Sequence, residues 1–212
     1  MDDDAAPASR APRRTVLLDV SAELFAARGF RAVSIDEIGR AAGISGPGVY
    51  RHFPTKVDIL LRLCHSAMDG LLDGAGAALI RHPGGSPRVA ALIDLHVAFA
   101  VRERACLAVY LREQMELPSR ELRTLRGRQR EYEQVWVDAL HQVSDLPVGQ
   151  ARAAVKLLLS MLNGTAHLRD ALPRAQLMEI LSRMAVGALE ELGVALDEAR
   201  PQPGPVARDV AG

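Results

Sequence analysis

Residues 33–56 read VSIDEIGRAAGISGPGVYRHFPTK, and this stretch decides the fold. Ser34 is suited to cap a helix, and Glu37 stands three positions later, where its carboxylate can bond back to the cap; this arrangement is a capping box. Gly43 favours the left-handed backbone conformation that ends many helices, and Ser45 is a second capping residue two positions further on. The spacing therefore predicts two short helices joined by a very tight turn.

Helical periodicity continues through the rest of the chain, and no convincing strand pattern interrupts it. Apolar residues recur at intervals of three and four from Leu17 onward, which is the spacing of an amphipathic helix. Thr55 is predicted to cap a fourth helix directly after Pro54, and Ser86 to cap a fifth that opens with Pro87. Three more helices are expected after Pro118, Pro147 and Pro173. We therefore predict an all-α protein of about nine helices.

A tight helix-turn-helix suits the reading of DNA, because the first helix braces on the backbone while the second enters the major groove. The second helix begins with SGPG at residues 45–48, which is slim enough to approach bases closely. The surrounding segment 9–62 carries nine basic residues against five acidic ones, although the whole chain is neutral. A phosphate backbone responds to this local field and not to the total charge.

The composition excludes several classes of protein. The chain has 212 residues, of which 49% are hydrophobic and 25% charged, so intrinsic disorder is excluded for most of its length. No uninterrupted apolar run approaches the roughly 20 residues of a membrane helix, and no signal-peptide pattern follows the acidic start. Cys64 and Cys106 show no metal-binding or disulfide spacing, so we expect a reducing, cytoplasmic environment.

The capped helix of residues 33–45, followed by the string Tyr-x-His-Phe-x-x-Lys at residues 50–56, resembles the TetR family of bacterial transcriptional regulators. The resemblance covers roughly residues 14–62. It implies an all-helical homodimer, joined through the last two helices, that binds double-stranded DNA at a palindromic operator. It also implies a small-molecule effector, and a cytoplasmic protein that associates with the nucleoid while it occupies its operator.

Together, the periodicity and the resemblance predict two domains and two disordered ends. The helix-turn-helix DNA-binding head would span 13–62, with the fourth helix continuing to about residue 75 as a connector. A ligand-binding and dimerisation domain would follow over 76–196, the breaker-rich loop 82–88 marking the change. The arm 1–12 and the tail 197–212 are expected to be disordered.

The resemblance also assigns roles to residues of the head. Tyr50, His52 and Lys56 would contact phosphates, while Ser34 and Ser45 would cap helices and touch phosphates as well. The full set of candidate DNA-binding residues is Arg13, Arg14, Ser34, Ser45, Gly46, Pro47, Gly48, Tyr50, Arg51, His52 and Lys56.

The tip of the reading helix departs from the family pattern. Gly46 and Gly48 stand where many members carry Lys, Arg or Thr, so base readout is assigned to Arg51, to the tyrosine beside it and to DNA shape. Each glycine weakens this helix by roughly 1 kcal/mol, so we expect a flexible tip that orders on DNA. Arg13 and Arg14, placed before the first helix, would reach the backbone or the minor groove.

The candidate ligand-binding residues lie in the second half of the chain and are His96, Tyr110, Trp136, Met161 and His167. Core packing is the alternative for His96 and Trp136, because both fall on apolar helix faces. The sequence VYLRE around Tyr110 resembles regulators of lipid metabolism that sense acyl-CoA-type ligands. The expected effector is therefore a small hydrophobic molecule, such as a lipid or an acyl-CoA-like compound.

The function that the sequence favours is a repressor that is released from DNA by its ligand. No Ser-His-Asp order, zinc spacing or Gly-rich phosphate loop points to an enzyme, and we expect no cofactor and no metal site. A helical interaction module without DNA binding and a transcriptional activator remain as alternatives. Four arginines on one helix face, Arg120, Arg123, Arg126 and Arg130, would either be solvated or receive an anionic head group.

Overall fold

The computed structural model describes residues 10–168 and 172–196. The predicted tail, 197–212, and the first nine residues of the predicted arm lie outside this range. Within the described residues there are nine α-helices and two 3-10 turns, and no strand, which confirms the predicted all-α class. None of the described helices combines the length and the apolarity needed to cross a membrane.

The N-terminal head contains three helices and the start of a fourth. They are α1 (Arg10–Arg28), α2 (Ile35–Ala41), α3 (Gly46–Tyr50) and α4 (Lys56–Arg81). Five further helices build the second domain: α5 (Gly85–Arg102), α6 (Arg104–Glu113), α7 (Ser119–His141), α8 (Val148–Asn163) and α9 (Arg174–Glu190). The 3-10 turns, Gln114–Glu116 and Gly164–His167, continue α6 and α8.

Local hydrogen bonds explain why the helices of the head start and stop where they do. The Oγ of Ser34 accepts from the N–H of Glu37 at 3.2 Å, and the Glu37 carboxylate accepts from the N–H of Ser34 at 2.8 Å. This capping box confirms the prediction, and Thr55 forms a second one with Asp58 at the start of α4. The backbone bond from Ser34, supported by Arg28, lowers the pKa of Glu37 to about 2.

Two glycines make the turn between α2 and α3 as tight as the sequence predicts. Gly43 has a φ of 70°, a left-handed conformation that other residues rarely adopt. At Gly39 an added Cβ would lie 2.9 Å from the carbonyl oxygen of Ile44, so α2 and the turn approach each other at the distance that only glycine allows. The turn is thus built for close packing of α2 against α3.

Two helix boundaries differ from the prediction. Helix α5 begins at Gly85 with Gly84 as its N-cap, so the prediction that Ser86 caps it is wrong. The backbone here is fixed instead by Arg88, whose guanidinium donates to the carbonyl oxygens of His82 and Pro83. Helix α4 runs to Arg81, beyond the predicted end near residue 75.

The apolar core continues from the head into the second domain. Phe25, Val49 and Phe53 are fully buried in the head, and Trp136 and Leu162 are fully buried among the later helices. Helix α1 packs along α6, and α4 packs against α5, α6 and α7. The head therefore rests directly on the second domain through α1 and α4. Cys64 and Cys106 are both buried and are not joined in a disulfide.

Candidate nucleic-acid interface and ligand cavity

Helix α3 has an exposed polar side and an apolar side that packs into the head. Ser45 caps it, with its Oγ accepting from the N–H of Gly48 at 3.2 Å. Val49 and Phe53 are buried and hold the helix to the head, whereas Tyr50 is 53% exposed and Arg51 is exposed beside it. His52 is half-buried. This arrangement leaves an amphipathic aromatic side chain and a guanidinium available to DNA.

Gly46 has a different role from the one predicted. It is buried, and an added Cβ would lie only 1.9 Å from Oδ1 of Asp36. Gly46 therefore lies against the exposed side chain of Asp36 on α2, which would have to move aside for a larger residue. Ser45 and Pro47 are exposed and Gly48 is half-buried, so Gly46 is the one residue of the predicted tip 45–48 that is buried.

Lys56 is committed to the head's own backbone. Its ammonium donates to the carbonyl oxygens of Val33 at 2.7 Å, Phe30 at 2.9 Å and Arg31 at 3.4 Å. It also lies 4.6 Å from the centroid of the Phe30 ring. The ammonium therefore clamps the turn between α1 and α2, and this use of its donors competes with the expected phosphate contact.

Arg13 and Arg14 were expected before the first helix, but both lie inside α1. Their side chains are exposed, and the guanidinium carbon of Arg14 sits 4.8 Å from the centroid of the Phe53 ring. The helix holds the two arginines on the head, so they are not part of a free arm in front of it.

Ion pairs remove part of the positive charge of the head. Arg28 bonds to Glu37 at 2.6 Å, and Arg31 bonds to Glu116 at 2.9 Å. Arg40, at the end of α2, is exposed and has no acidic partner among the described residues. Arg40 is a further candidate for DNA contact. Motif reading missed it, although its positive charge and its position beside the turn are evident from the sequence.

A cavity of about 520 Å³ lies inside the second domain. Three of the predicted ligand-binding residues, His96, Tyr110 and His167, line it. Its wall comes from α4, α5, α6, α7, α8 and the second 3-10 turn, and consists of Ala67, Met68, Leu71, His96, Phe99, Leu107, Tyr110, Leu111, Gln129, Tyr132, Glu133, Lys156, Leu159, Ser160, Asn163, Gly164 and His167. The wall thus combines apolar side chains with polar ones in similar number.

Trp136 and Met161 are not among the lining residues, so their prediction as ligand contacts is corrected. The indole of Trp136 is fully buried and packs edge-on behind the wall, 6.3 Å from the ring of His96 and 6.4 Å from that of Tyr132. Met161 packs against the core. Trp136 thus supports the wall from behind.

A chain of hydrogen bonds crosses the wall at His96. Its Nδ1 lies 3.1 Å from the hydroxyl oxygen of Tyr132, and its Nε2 lies 3.1 Å from Oδ1 of Asn163. Complete burial lowers the pKa of His96 to about 4, and the bond to Asn163 opposes this only in part. The imidazole is therefore neutral at pH 7. Motif reading missed Tyr132, because the helices that bring it to His96 are far apart in sequence.

The end of α6 connects the cavity to the head. Tyr110 and Leu111 line the cavity, and the next residue, Arg112, donates to the carbonyl oxygens of Phe25 and Ala26 at the end of α1. Glu113 is buried and bonds to Arg112 at 2.7 Å. Consecutive residues of one helix therefore contact the cavity on one side and the head on the other.

Comparisons with known proteins agree with this architecture. The family model described as "Bacterial regulatory proteins, tetR family" matches residues 17–63, and the model described as "Tetracyclin repressor-like, C-terminal domain" matches residues 84–167. Together the two matches span more than half of the chain.

The individual relatives include both a transcriptional activator and a transcriptional repressor. The transcriptional activator FasR of Mycolicibacterium smegmatis is 33% identical over 90 residues, which are 42% of this chain and 41% of that protein. The transcriptional repressor KstR2 of Rhodococcus jostii is 29% identical over 129 residues, 60% of this chain and 63% of that protein. The chain thus spans between two fifths and two thirds of these relatives.

A solved structure, AibR in complex with isovaleryl coenzyme A and operator DNA, shares the fold. The TM-score is 0.68 at 18% identity, over 81% of this chain and 97% of that one. Members of the matched family are transcriptional regulators and not enzymes, so the enzyme hypothesis is set aside. The helix-turn-helix head, the cavity-bearing helical domain and the two family matches lead to one conclusion: the chain belongs to the TetR family of bacterial transcriptional regulators.

Proposed function

We propose that the protein is a homodimeric repressor that binds a palindromic operator and is released by a small hydrophobic effector. The observation that carries this proposal is the position of α6. Leu107, Tyr110 and Leu111 line the cavity, while Arg112 and Glu113 hold the head. A ligand that displaces α6 therefore has a direct route to the DNA-binding surface.

Exposed apolar side chains on the last two helices support a dimer. Leu157 on α8 is 72% exposed, and Ile180 and Met184 on α9 are 43% and 48% exposed. Residues 180 and 184 are one turn apart and share a face, as expected for a helix that packs against a second copy. Pairing α8 and α9 with their counterparts would bury these side chains in a four-helix bundle.

The cavity and its surroundings support a lipid or acyl-CoA-like effector. Leucine, methionine and phenylalanine side chains dominate the apolar part of the wall. A smaller hollow of about 200 Å³ adjoins the mouth; it shares Glu133 and Lys156 with the large cavity and adds Arg130 and Arg152. An acyl chain would lie in the large cavity, and an anionic head group would lie beside the lysine and the two arginines of the smaller one. AibR, which shares the fold, was solved with isovaleryl coenzyme A.

Release of DNA requires only that the effector bind one dimer geometry better than another. The two α3 helices of a dimer must lie about 34–36 Å apart, or a multiple of that distance, to enter successive major grooves. A shift of α6 that moves α1 and its head would spoil this spacing. Repression follows if the geometry without ligand is the one that fits the operator.

A gel-shift assay with the DNA upstream of the chain's own gene tests the proposal. We expect a specific complex that weakens steeply between two salt concentrations and dissociates when an acyl-CoA is added. DNase protection should reveal two inverted half-sites. A single asymmetric half-site would contradict the dimer, and an effector that strengthens binding would favour the activator alternative.

A further inference from the structure

The hydrogen bonds around His96 fix which atoms carry protons. With the Asn163 amide oriented as it is in the structure, Oδ1 accepts and Nε2 of His96 donates to it across 3.1 Å. A neutral imidazole has one N–H, and therefore Nδ1 is the acceptor. Tyr132 must then donate its hydroxyl hydrogen to Nδ1, also across 3.1 Å. The chain runs in one direction, from Tyr132 through His96 to Asn163.

In this arrangement the NH₂ group of the Asn163 amide takes no part in the chain of hydrogen bonds. Its oxygen is occupied by His96, and no partner for its NH₂ group is found among the described residues. Asn163 lines the cavity and is only half-buried, so the two N–H donors are accessible from the hollow. The oxygen of Tyr132 has given up its hydrogen to His96 and offers no donor. Asn163 is therefore the neutral donor at this end of the cavity.

The wall also carries the charged side chains of Lys156 and Glu133 and the imidazole of His167. Lys156 is exposed and stands seven residues before Asn163 on α8, about 10 Å away along the helix axis. Next to Asn163 the wall contains His96, which is buried and neutral. A ligand would thus meet a neutral N–H donor at Asn163 and a cation at Lys156.

We infer that the effector carries a neutral carbonyl oxygen, as in a ketone, ester, thioester or amide, which accepts a hydrogen bond from the Asn163 side chain. Its apolar body lies along Met68, Leu71 and Leu159. A carboxylate gains less at the same position, because Asn163 and the adjoining His96 are both neutral at pH 7. This inference rests on the proposed function of the cavity as an effector site.

The test is calorimetric titration of the purified full chain with three matched probes. They are undecan-2-one, its methylene isostere 2-methylundec-1-ene and sodium undecanoate. We expect the ketone to bind roughly 3- to 10-fold more tightly than the isostere, the range of one net hydrogen bond. Undecanoate is expected to bind more weakly than the ketone.

Two variants locate the effect. Asn163→Met removes the donor and places a larger apolar side chain in the wall, and should bind the ketone and its isostere with equal affinity. Ser160→Ala alters another polar residue of the same wall that takes no part in the hydrogen-bond chain, and should keep the ketone preference. If Asn163→Met does not fold, the infrared stretch of ¹³C-carbonyl undecan-2-one on the wild-type protein decides. Its frequency on the protein should be lower than in hexane, where the carbonyl has no hydrogen-bond donor.

The outcomes separate the two levels of the proposal. If the apolar probes bind but the ketone gains nothing and its carbonyl stretch is as high as in hexane, the inference is wrong while the effector site stands. Tighter binding of undecanoate than of the ketone would equally overturn it. If none of the three probes binds, the proposed effector cavity fails, and the inference fails with it.

Discussion

The carboxylate of Glu113 accepts a hydrogen bond from the backbone N–H of Phe30 across 3.2 Å, and so joins the end of α6 to the turn after α1. The same turn is held from the other side by Lys56, which bonds to the carbonyl oxygen of Phe30. The position of the head thus depends on a few buried polar contacts and not on apolar packing alone.

Replacing Glu113 should weaken the connection between cavity and head. Glu113→Ala leaves the buried N–H of Phe30 without an acceptor, and we expect a loss of about 1–3 kcal/mol in the free energy of unfolding. Glu113→Gln keeps an acceptor oxygen and should lose less. Urea denaturation measures both, and equal stability of Glu113→Ala and wild type would contradict the clamp. Operator release by effector should also weaken in Glu113→Ala.

Lys56→Met distinguishes a clamp from a phosphate contact. Three carbonyl oxygens lose their donor, so we expect the free energy of unfolding to fall by about 1–3 kcal/mol. The slope of log K against log salt for operator binding should stay unchanged, because no phosphate contact is lost. A slope reduced by about one, with unchanged stability, would restore the phosphate contact instead.

The glycines of the reading unit should respond differently to alanine. In Gly39→Ala the new Cβ meets backbone at 2.9 Å, so we expect a loss of about 1–3 kcal/mol and weaker operator binding. In Gly48→Ala the nearest atom is the Oγ of Ser45 at 3.3 Å, and the higher helix propensity of alanine offsets this contact. Thermal unfolding compares the two. A Gly39→Ala protein as stable as Gly48→Ala would refute the close approach.

In the head, interactions between residues that are close in sequence could be predicted, whereas interactions between residues that are distant in sequence could not. The capping box of Ser34 and the stop at Gly43 involve atoms within a few residues, so motif and conformation agree. The carbonyl oxygens bound by Lys56 lie 23 to 26 residues away in the chain, and only the folded packing of α1, α2 and α4 brings them together.

The cavity illustrates the same limit. His96 was recognisable as a polar residue on an apolar face, but its partners come from α7 and α8, 36 and 67 residues further along the chain. Their meeting depends on the rotation of three helices about their axes, which periodicity alone does not determine. For the same reason Trp136 and Met161 were assigned to the cavity although they face the core.

Acid should destabilise the protein through His96. The unfolded chain takes up a proton near the ordinary pKa of 6.5, whereas the folded protein does so only near 4. The contribution of His96 to the free energy of unfolding is therefore fully present above about pH 6.5. It falls as the pH decreases, by about 2 kcal/mol between pH 7.5 and pH 5. Chemical denaturation of wild type and His96→Gln at both pH values should show a smaller decrease in the variant.

An exposed histidine provides the control for this experiment. His141→Gln should retain the full difference between the two pH values, because this side chain is exposed at the end of α7. Identical pH dependence of His96→Gln and wild type would show that His96 does not carry the effect.

The central claim is that the exposed face of α3 reads DNA. Fluorescence anisotropy with the operator, at one fixed salt concentration, compares wild type, the double variant Tyr50→Ala/Arg51→Ala and Arg123→Ala, in which an exposed arginine outside the head is removed. Because both side chains of the double variant are exposed, folding should be unaffected. We predict an affinity about 100-fold lower for the double variant, with Arg123→Ala unchanged. A folded double variant that binds the operator as tightly as wild type would contradict the account.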